Sequence, residues 1–106
     1  MRRKGMRIKE VLTRTPQLLD ELIKVWEDSV RATHFFLSDA QIKQIREYVP
    51  QALEKVEHLI IVEEPLGRTI AFMGVENRRL EMLFLTQAER GKGIGRRLLQ
   101  YGICHL

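Results

Sequence analysis

LEMLFLTQAERGKGIGRRLL, residues 80–99, joins three kinds of local pattern in one continuous stretch. Its first part is apolar and alternating, which predicts a strand over Leu80–Thr86. A short polar turn follows, then glycine at every second position (Gly91, Gly93 and Gly95), and then an apolar, basic stretch that predicts a helix. A strand that leads through a glycine-rich turn into the start of a helix is typical of a phosphate-binding site.

Anion binding at such a turn has a physical basis in the backbone. Glycine permits positive φ and close approach of a ligand to the main chain, while the first N–H groups of a helix have no partner inside it. The helix dipole favours an anion at this end by about 0.3 to 1 kcal/mol. The same stretch also carries four cations, Arg90, Lys92, Arg96 and Arg97. We therefore expect one anionic ligand here, a pyrophosphate group.

Spacing excludes the two best-known glycine-rich phosphate loops. A P-loop needs Ser or Thr after its lysine, but Lys92 is followed by Gly93. A dinucleotide fingerprint that starts at Gly91 needs glycine where Arg96 stands, and one that starts at Gly93 needs it where Leu98 stands. The glycines alone are weak evidence for a ligand, since a glycine-rich turn with basic neighbours is also found as a tight solvated loop.

The pattern Arg90-x-x-Gly93-x-Gly95, placed after a strand and opening a helix, resembles the acetyl-CoA signature of the GCN5-related N-acetyltransferase (GNAT) family. The resemblance implies that the backbone of Leu83, Phe84 and Leu85 pairs with the pantetheine arm and the acetyl oxygen of acetyl-CoA. It also implies a pyrophosphate site in the turn, formed by Arg90, Gly91, Lys92, Gly93, Ile94, Gly95 and Arg96.

Composition and charge describe one domain over residues 1–106, with 44% hydrophobic and 30% charged residues. No apolar run approaches the length of a membrane span, and Met1–Lys4 is not followed by the apolar segment of a signal peptide, so we expect a cytoplasmic protein that does not bind membranes. One cysteine and three scattered histidines supply no metal-ligand spacing. The net charge of +4 suits an anionic ligand or nucleic acid, but interleaved aromatics for base stacking are absent.

The remaining chain predicts a mixed order of strands and helices. Thr15 and Pro16 mark a helix start, Ser38 and Gln41 form a capping box for the next, and Pro50 interrupts an apolar helical stripe that continues to Val56. The predicted elements are a strand over Met6–Leu12, a helix from Pro16 to Ala32, a helix through Gln41 that Pro50 kinks or divides, strands over His58–Glu63, Thr69–Glu76 and Leu80–Thr86, and a helix from about Gly93.

The fold class that this order predicts is α/β, of the α+β type, with the order β-α-α-β-β-β-α around a mostly antiparallel central sheet. It corresponds to the N-terminal part of the GNAT-like acyl-CoA N-acyltransferase fold. The resemblance implies that the single domain over 1–106 lacks the usual C-terminal strand, helix and hairpin. The exposed edge of the Leu80–Thr86 strand and the apolar face of the last helix then predict self-association as a homo-oligomer.

Glu81 is the candidate general base. We expect it on the central strand, two residues before Leu83 and on the same face, and many GNAT enzymes have an acid or histidine there. An alkyl ammonium has a pKa near 10.4, so a base or a water chain must remove its proton before attack. The alternative is that Glu81 pairs with a basic residue across the sheet.

The connection from Thr33 to Ser38 is unusually apolar for a loop, and we expect it either to fill the core or to line a pocket. The segment Ser29–Ser38 resembles the acceptor-side connection between the first two helices of a subset of small bacterial GNAT proteins, which implies that His34 and Phe35 contact the substrate. A packed, hydrogen-bonded loop histidine is the alternative.

Three functions remain open from the sequence: an acetyl-CoA-dependent N-acetyltransferase acting on a small-molecule or peptide amine, a catalytically impaired CoA-binding or assembly module, and, with least support, a nucleic-acid-binding protein.

Overall fold

A computed structural model describes residues 5–106 as one sheet with helices on both faces. The sheet has four strands in the order β1-β2-β3-β4, and every neighbouring pair is antiparallel. The predicted α+β class and element order are confirmed. The elements are β1 (Arg7–Glu10), α1 (Pro16–Thr33), α2 (Asp39–Arg46), α3 (Val49–Lys55), β2 (His58–Glu63), β3 (Thr69–Glu76), β4 (Arg79–Leu85), a 3₁₀ turn (Gln87–Glu89) and α4 (Ile94–His105).

Local sequence signals set the starts of the first two helices as predicted. The Thr15 side chain accepts a hydrogen bond from Leu18 N at 3.2 Å, and Pro16 occupies the first position of α1, where a missing N–H costs nothing. At α2, the Ser38 hydroxyl accepts from Gln41 N, and the Gln41 side chain accepts from Ser38 N in return. The capping box therefore places the helix start at Asp39.

Pro50 divides the predicted long helix into two. α2 ends at Arg46, and α3 begins at Val49 with Pro50 in its first turn, because the proline ring cannot accept the hydrogen-bonding pattern of a helix interior. The apolar stripe predicted through this region is buried at Ile42, Val49, Leu53 and Val56 but not at Ile45. Ile45 is 42% exposed, whereas Ile42 and Leu53 are buried on either side of the break.

The strands are close to their predicted limits, with two differences. β1 is shorter than Met6–Leu12, although Val11 still donates a backbone hydrogen bond to Leu59 O at 2.7 Å. β4 begins and ends one residue earlier than predicted, and a β-bulge interrupts its pairing with β3: Gly74 faces Met82, but Val75 faces Leu80. β2 and β3 have the predicted limits.

The sheet separates two apolar clusters. On one face, α1, α2 and α3 bury the side chains that point from the odd positions of β2, such as Leu59 and Ile61. On the other face, α4 packs on the even positions, including Ile60 and Val62. The exposed apolar residues of this second face border a cleft of about 450 Å³ between β3, β4 and the C-terminal half of α4. Over residues 5–106, no helix combines the length and apolar character that a membrane crossing requires.

Candidate functional site

The glycine turn between β4 and α4 forms an open cleft of about 580 Å³. Gly91 and Gly93 have φ values of +74° and +82°, a region that residues with a Cβ rarely adopt. Gly93 is also the N-cap residue of α4. The cleft is lined by Leu85, Arg90, Gly91, Gly93, Gly95 and Arg96, so the turn brings together most of the residues that the sequence assigned to the pyrophosphate.

Backbone N–H groups at the start of α4 are available to a ligand. The first backbone hydrogen bond of this helix runs from Arg97 N to Gly93 O at 3.1 Å, so the N–H groups of Ile94, Gly95 and Arg96 precede the helical ladder. A Cβ added at Gly95 would lie 3.9 Å from Leu85 Cδ1 and would project into the cleft without a clash. Gly95 therefore keeps open the approach to these N–H groups, which fits a bound phosphate group.

The cations around the turn have few acidic partners. Lys92 Nζ lies 3.9 Å from Glu89 Oε1. Within residues 5–106, the exposed guanidinium groups of Arg90, Arg96 and Arg97 form no ion pair with a carboxylate. Their charge is therefore available to an anion in the cleft, where it adds to the positive end of the α4 dipole.

The register of β4 decides which backbone groups face its open edge. Thr86 N donates to Ile70 O at 3.0 Å, which makes Ala71 and Leu85 a pair without mutual hydrogen bonds. By alternation, Leu83 and Leu85 direct their N–H and C=O groups away from β3, while those of Phe84 point towards it. Of the three residues predicted to pair with pantetheine, Leu83 and Leu85 have the backbone orientation that this requires.

Glu81 is the extra residue of the β-bulge and has no partner in β3. Regular alternation, which placed Glu81 on the face of Leu83, does not hold here. Leu80 lines the cleft beside α4 and Leu83 packs in the cluster under α4, so residues three positions apart share a face. β4 is also an edge strand of the described sheet rather than a central one. The Glu81 side chain is exposed, and it forms no ion pair with a basic residue of 5–106.

His34 and Phe35 lie in the connection between α1 and α2, and of the two expected roles of this connection, its two phenylalanines do not fill the core. Phe35 and Phe36 are 84% and 79% exposed, and only Leu37 packs against the core. The His34 ring lies 5.6 Å from the Phe36 ring, centroid to centroid. Neither His34 nor Phe35 is among the residues that line the glycine-turn cleft.

The hydrogen bonds of His34 fix its neutral tautomer. Thr33 Oγ1 donates its single proton to Ser29 O at 2.8 Å, so it accepts from His34 Nδ1, also at 2.8 Å. When His34 is neutral, Nε2 therefore carries the lone pair and can accept a proton or a hydrogen bond.

One residue near the site was not predicted from the sequence. Asp28, on α1, accepts a hydrogen bond from Gln87 N, at the start of the segment that leads into the glycine turn; the distance is 2.6 Å. A single aspartate on the exposed side of a helix gives no signal of this contact, because the two residues are 59 positions apart.

Comparison with curated proteins finds two peptidyl-lysine N-acetyltransferases among the relatives of this chain. The chain is 33% identical over 87 residues to the peptidyl-lysine N-acetyltransferase YjaB of Salmonella typhimurium, an alignment that covers 79% of this chain and 57% of the relative. It is 30% identical to YjaB of Escherichia coli, with 79% and 56% covered. The chain thus spans just over half the length of these relatives. No family model matches the sequence.

Comparison with solved structures finds the fold of this chain in N-acetyltransferases. The solution structure of apo-form YjaB from Escherichia coli superimposes with a TM-score of 0.79 at 25% identity, covering 93% of this chain and 65% of that one. The PaiA N-acetyltransferase of Thermoplasma acidophilum, solved in complex with coenzyme A, gives a TM-score of 0.75 at 19% identity, with 93% and 70% covered. The fold, the glycine turn and the relatives agree: the chain has the GNAT fold, is similar in sequence to N-acetyltransferases and spans part of the GNAT domain.

Proposed function

We propose that this chain binds acetyl-CoA at the glycine turn and the open edge of β4, and that it transfers the acetyl group to a primary amine such as a lysine side chain of a peptide. The observation that carries the proposal is the cleft at Gly91–Gly95, where backbone N–H groups and positive-φ glycines converge with arginines that form no ion pair within residues 5–106. The names of the two relatives support the peptide amine, and the coenzyme A complex of PaiA supports the cofactor class.

Each part of the site has a distinct binding role. The N–H groups of Ile94, Gly95 and Arg96 would donate to the pyrophosphate, and the nearby guanidinium groups would balance its charge. Leu83 and Leu85 would pair with the amide groups of the pantetheine arm as with an added strand. Acetyl-CoA supplies an activated acetyl thioester.

The transfer forms a bond between the amine nitrogen and the acetyl carbon and breaks the bond from that carbon to sulfur. The amine must lose a proton before it attacks, and the departing thiolate must gain one. Glu81 would accept the first proton, directly or through water, because the bulge leaves its carboxylate exposed and without a cross-strand partner beside the open edge of β4.

The α1–α2 connection would meet the acceptor. His34 Nε2 can accept a hydrogen bond from an ammonium group, and the exposed ring of Phe35 offers apolar surface to the alkyl part of the acceptor. This assignment rests on the resemblance to GNAT acceptor loops and on the tautomer that Thr33 fixes.

A pair of glycine variants tests the cofactor site. Gly93 and Gly67 both have positive φ, +82° and +91°, and a Cβ added at either meets no atom within 4 Å. Valine at either position therefore introduces similar backbone strain, but only Gly93 lies in the cleft. We expect Gly93→Val to abolish acetyl-CoA binding in a calorimetric titration, while Gly67→Val keeps the affinity of the unaltered protein.

Thioester turnover separates transfer from binding alone. With a lysine-containing peptide, the proposal predicts release of free CoA and acetylation of the peptide. Binding of acetyl-CoA without turnover would identify a CoA-binding module, and equal affinity of Gly93→Val and the unaltered protein would exclude the proposed cofactor site.

A further inference from the structure

The segment between β4 and the glycine turn is anchored to α1 by one charged side chain. Asp28 Oδ2 accepts a hydrogen bond from Gln87 N at 2.6 Å, a short distance typical of a charge-assisted bond. Its neighbours on α1, Trp26 and Ser29, are buried, so the helix that carries Asp28 is fixed in the core. Within residues 5–106, Asp28 forms no ion pair with a basic side chain that could compete for its carboxylate.

A short chain of backbone hydrogen bonds connects this anchor to the cleft. The N–H of Gln87 donates to Asp28, and the carbonyl of Gln87 accepts from Arg90 N at 3.2 Å. Arg90 and Gly91 are the first residues of the turn to line the cleft. The ladder between β3 and β4 ends at Thr86, so Asp28 makes the first contact that fixes the chain after the sheet.

We propose that Asp28 is a positioning residue for the cofactor site, one that holds the entrance of the glycine turn where its N–H groups can meet a pyrophosphate. This inference rests on the proposed function. Asp28 lines a separate cleft, with Thr86 and Ala88 among its neighbours, and is not among the residues around Gly91–Gly95. Its effect on the ligand is therefore indirect, through Gln87 and Arg90.

The same helix offers a matched control. Glu21 Oε1 accepts a hydrogen bond from Thr69 N at 3.2 Å, which also joins an α1 carboxylate to a backbone N–H at an end of a strand. That contact lies at the start of β3, and Glu21 and Thr69 do not line the glycine-turn cleft. Loss of either carboxylate removes one bond between α1 and the sheet region, but only the loss of Asp28 frees the turn.

The test is a calorimetric titration of the unaltered protein and four variants with CoA, combined with amide hydrogen exchange at Gln87. We expect Asp28→Ala to weaken CoA binding about tenfold and to speed exchange at Gln87. Asp28→Asn keeps an oxygen acceptor and should stay within about threefold of the unaltered affinity. Asp28→Glu retains the charge but displaces the acceptor by one methylene, so it should give an intermediate loss. Glu21→Ala should leave the affinity unchanged.

Two results would overturn the positioning role while leaving the cofactor site intact: unaltered CoA affinity in both Asp28→Ala and Asp28→Glu, or an equal loss in Glu21→Ala. Because Asp28→Glu keeps the carboxylate, it provides the measurement if Asp28→Ala does not fold. A protein that binds no CoA before any substitution would instead overturn the proposed function, and with it this inference.

Discussion

The two faces of the sheet are covered to very different extents. α1, α2 and α3 together close one face, where Leu22 and Leu53 have no solvent exposure. On the other face α4 is the one helix that residues 5–106 supply, and Leu80, Leu99 and Ile103 are 49%, 41% and 83% exposed beside a cleft of about 450 Å³. The closed face holds 14 buried residues of its cluster and the open face holds eight, so we expect the closed face to contribute more of the folding stability. The open face adjoins the glycine turn and the edge of β4. Substitutions on the closed face should therefore change the stability, and substitutions at the glycine turn should change ligand binding.

Leu22→Ala should have the largest effect on stability. Leu22 is fully buried in the closed face, and removing such a side chain costs the transfer free energy of the lost groups and the free energy of the cavity that remains, about 3 kcal/mol in total. Urea unfolding measures the change. Leu99→Ala on the open face is the control, with an expected loss below about 1 kcal/mol because Leu99 is already partly in water. Equal losses at both positions would contradict the difference between the faces.

Glu81→Gln should affect turnover and leave the fold intact. Glutamine keeps the shape of the exposed bulge residue but cannot accept the proton, so we expect turnover at pH 7 to fall about 100-fold, the size typical of general-base catalysis. The loss should shrink at alkaline pH, where more of the amine is already neutral. Calorimetry should show unchanged acetyl-CoA affinity. Full turnover of the variant at pH 7 would make Glu81 a structural residue.

Arg14→Ala should cost about 1 to 2 kcal/mol of unfolding free energy, because one guanidinium group caps the end of α3. Arg14 donates to Leu53 O at 2.7 Å, to Glu54 O at 2.9 Å and to Glu57 O at 3.3 Å. The lysine ammonium group lacks the planar fork of a guanidinium group and cannot bind several carbonyls at once. Arg14→Lys should therefore recover only part of the loss. CoA affinity should not change, since this cap belongs to the closed face; a large loss of affinity would contradict the division.

Asp39→Asn should have the smallest effect, and one that depends on pH. The Arg31 side chain, hydrogen-bonded to Asp39 at 2.6 Å, and then Lys43 hold the pKa of Asp39 below its ordinary value. Its contribution is therefore present above the pKa of an unfolded aspartate and is lost as pH falls through the lowered folded pKa. We expect a slightly lower urea midpoint for the variant at pH 7 and no difference at low pH. A difference that persisted in acid would exclude an ionic origin.

Local signals in the sequence were sufficient for most of the fold. The Thr15 cap, the Ser38–Gln41 capping box and the apolar runs of β2 and β3 each act over a few residues, and the structure has them at the predicted positions. At Pro50 the sequence left a kink or a division open, and the structure shows a division. Gly91, Gly93 and Gly95 form one cleft with Arg90 and Arg96 for the same reason, since all lie within one turn.

What the sequence could not predict depends on contacts between distant residues. The bulge at Glu81 is a property of the pairing between β3 and β4, so the strand alone suggested a regular alternation that fails there. The large apolar side chains of Phe35 and Phe36 suggested burial, yet the tertiary arrangement leaves both exposed to solvent. The contact from Asp28 to Gln87 spans 59 positions and had no local signal.

An NMR titration of ¹⁵N-labelled protein with CoA shows whether CoA binds along the open edge of β4 and in the glycine turn. We predict that the amide signals of Leu83, Leu85 and residues 91–96 shift most, that Phe84 shifts less because its N–H points towards β3, and that α2 and α3 do not respond. No saturable shift, or shifts centred on the cleft between β4 and the end of α4, would exclude CoA binding at the glycine turn.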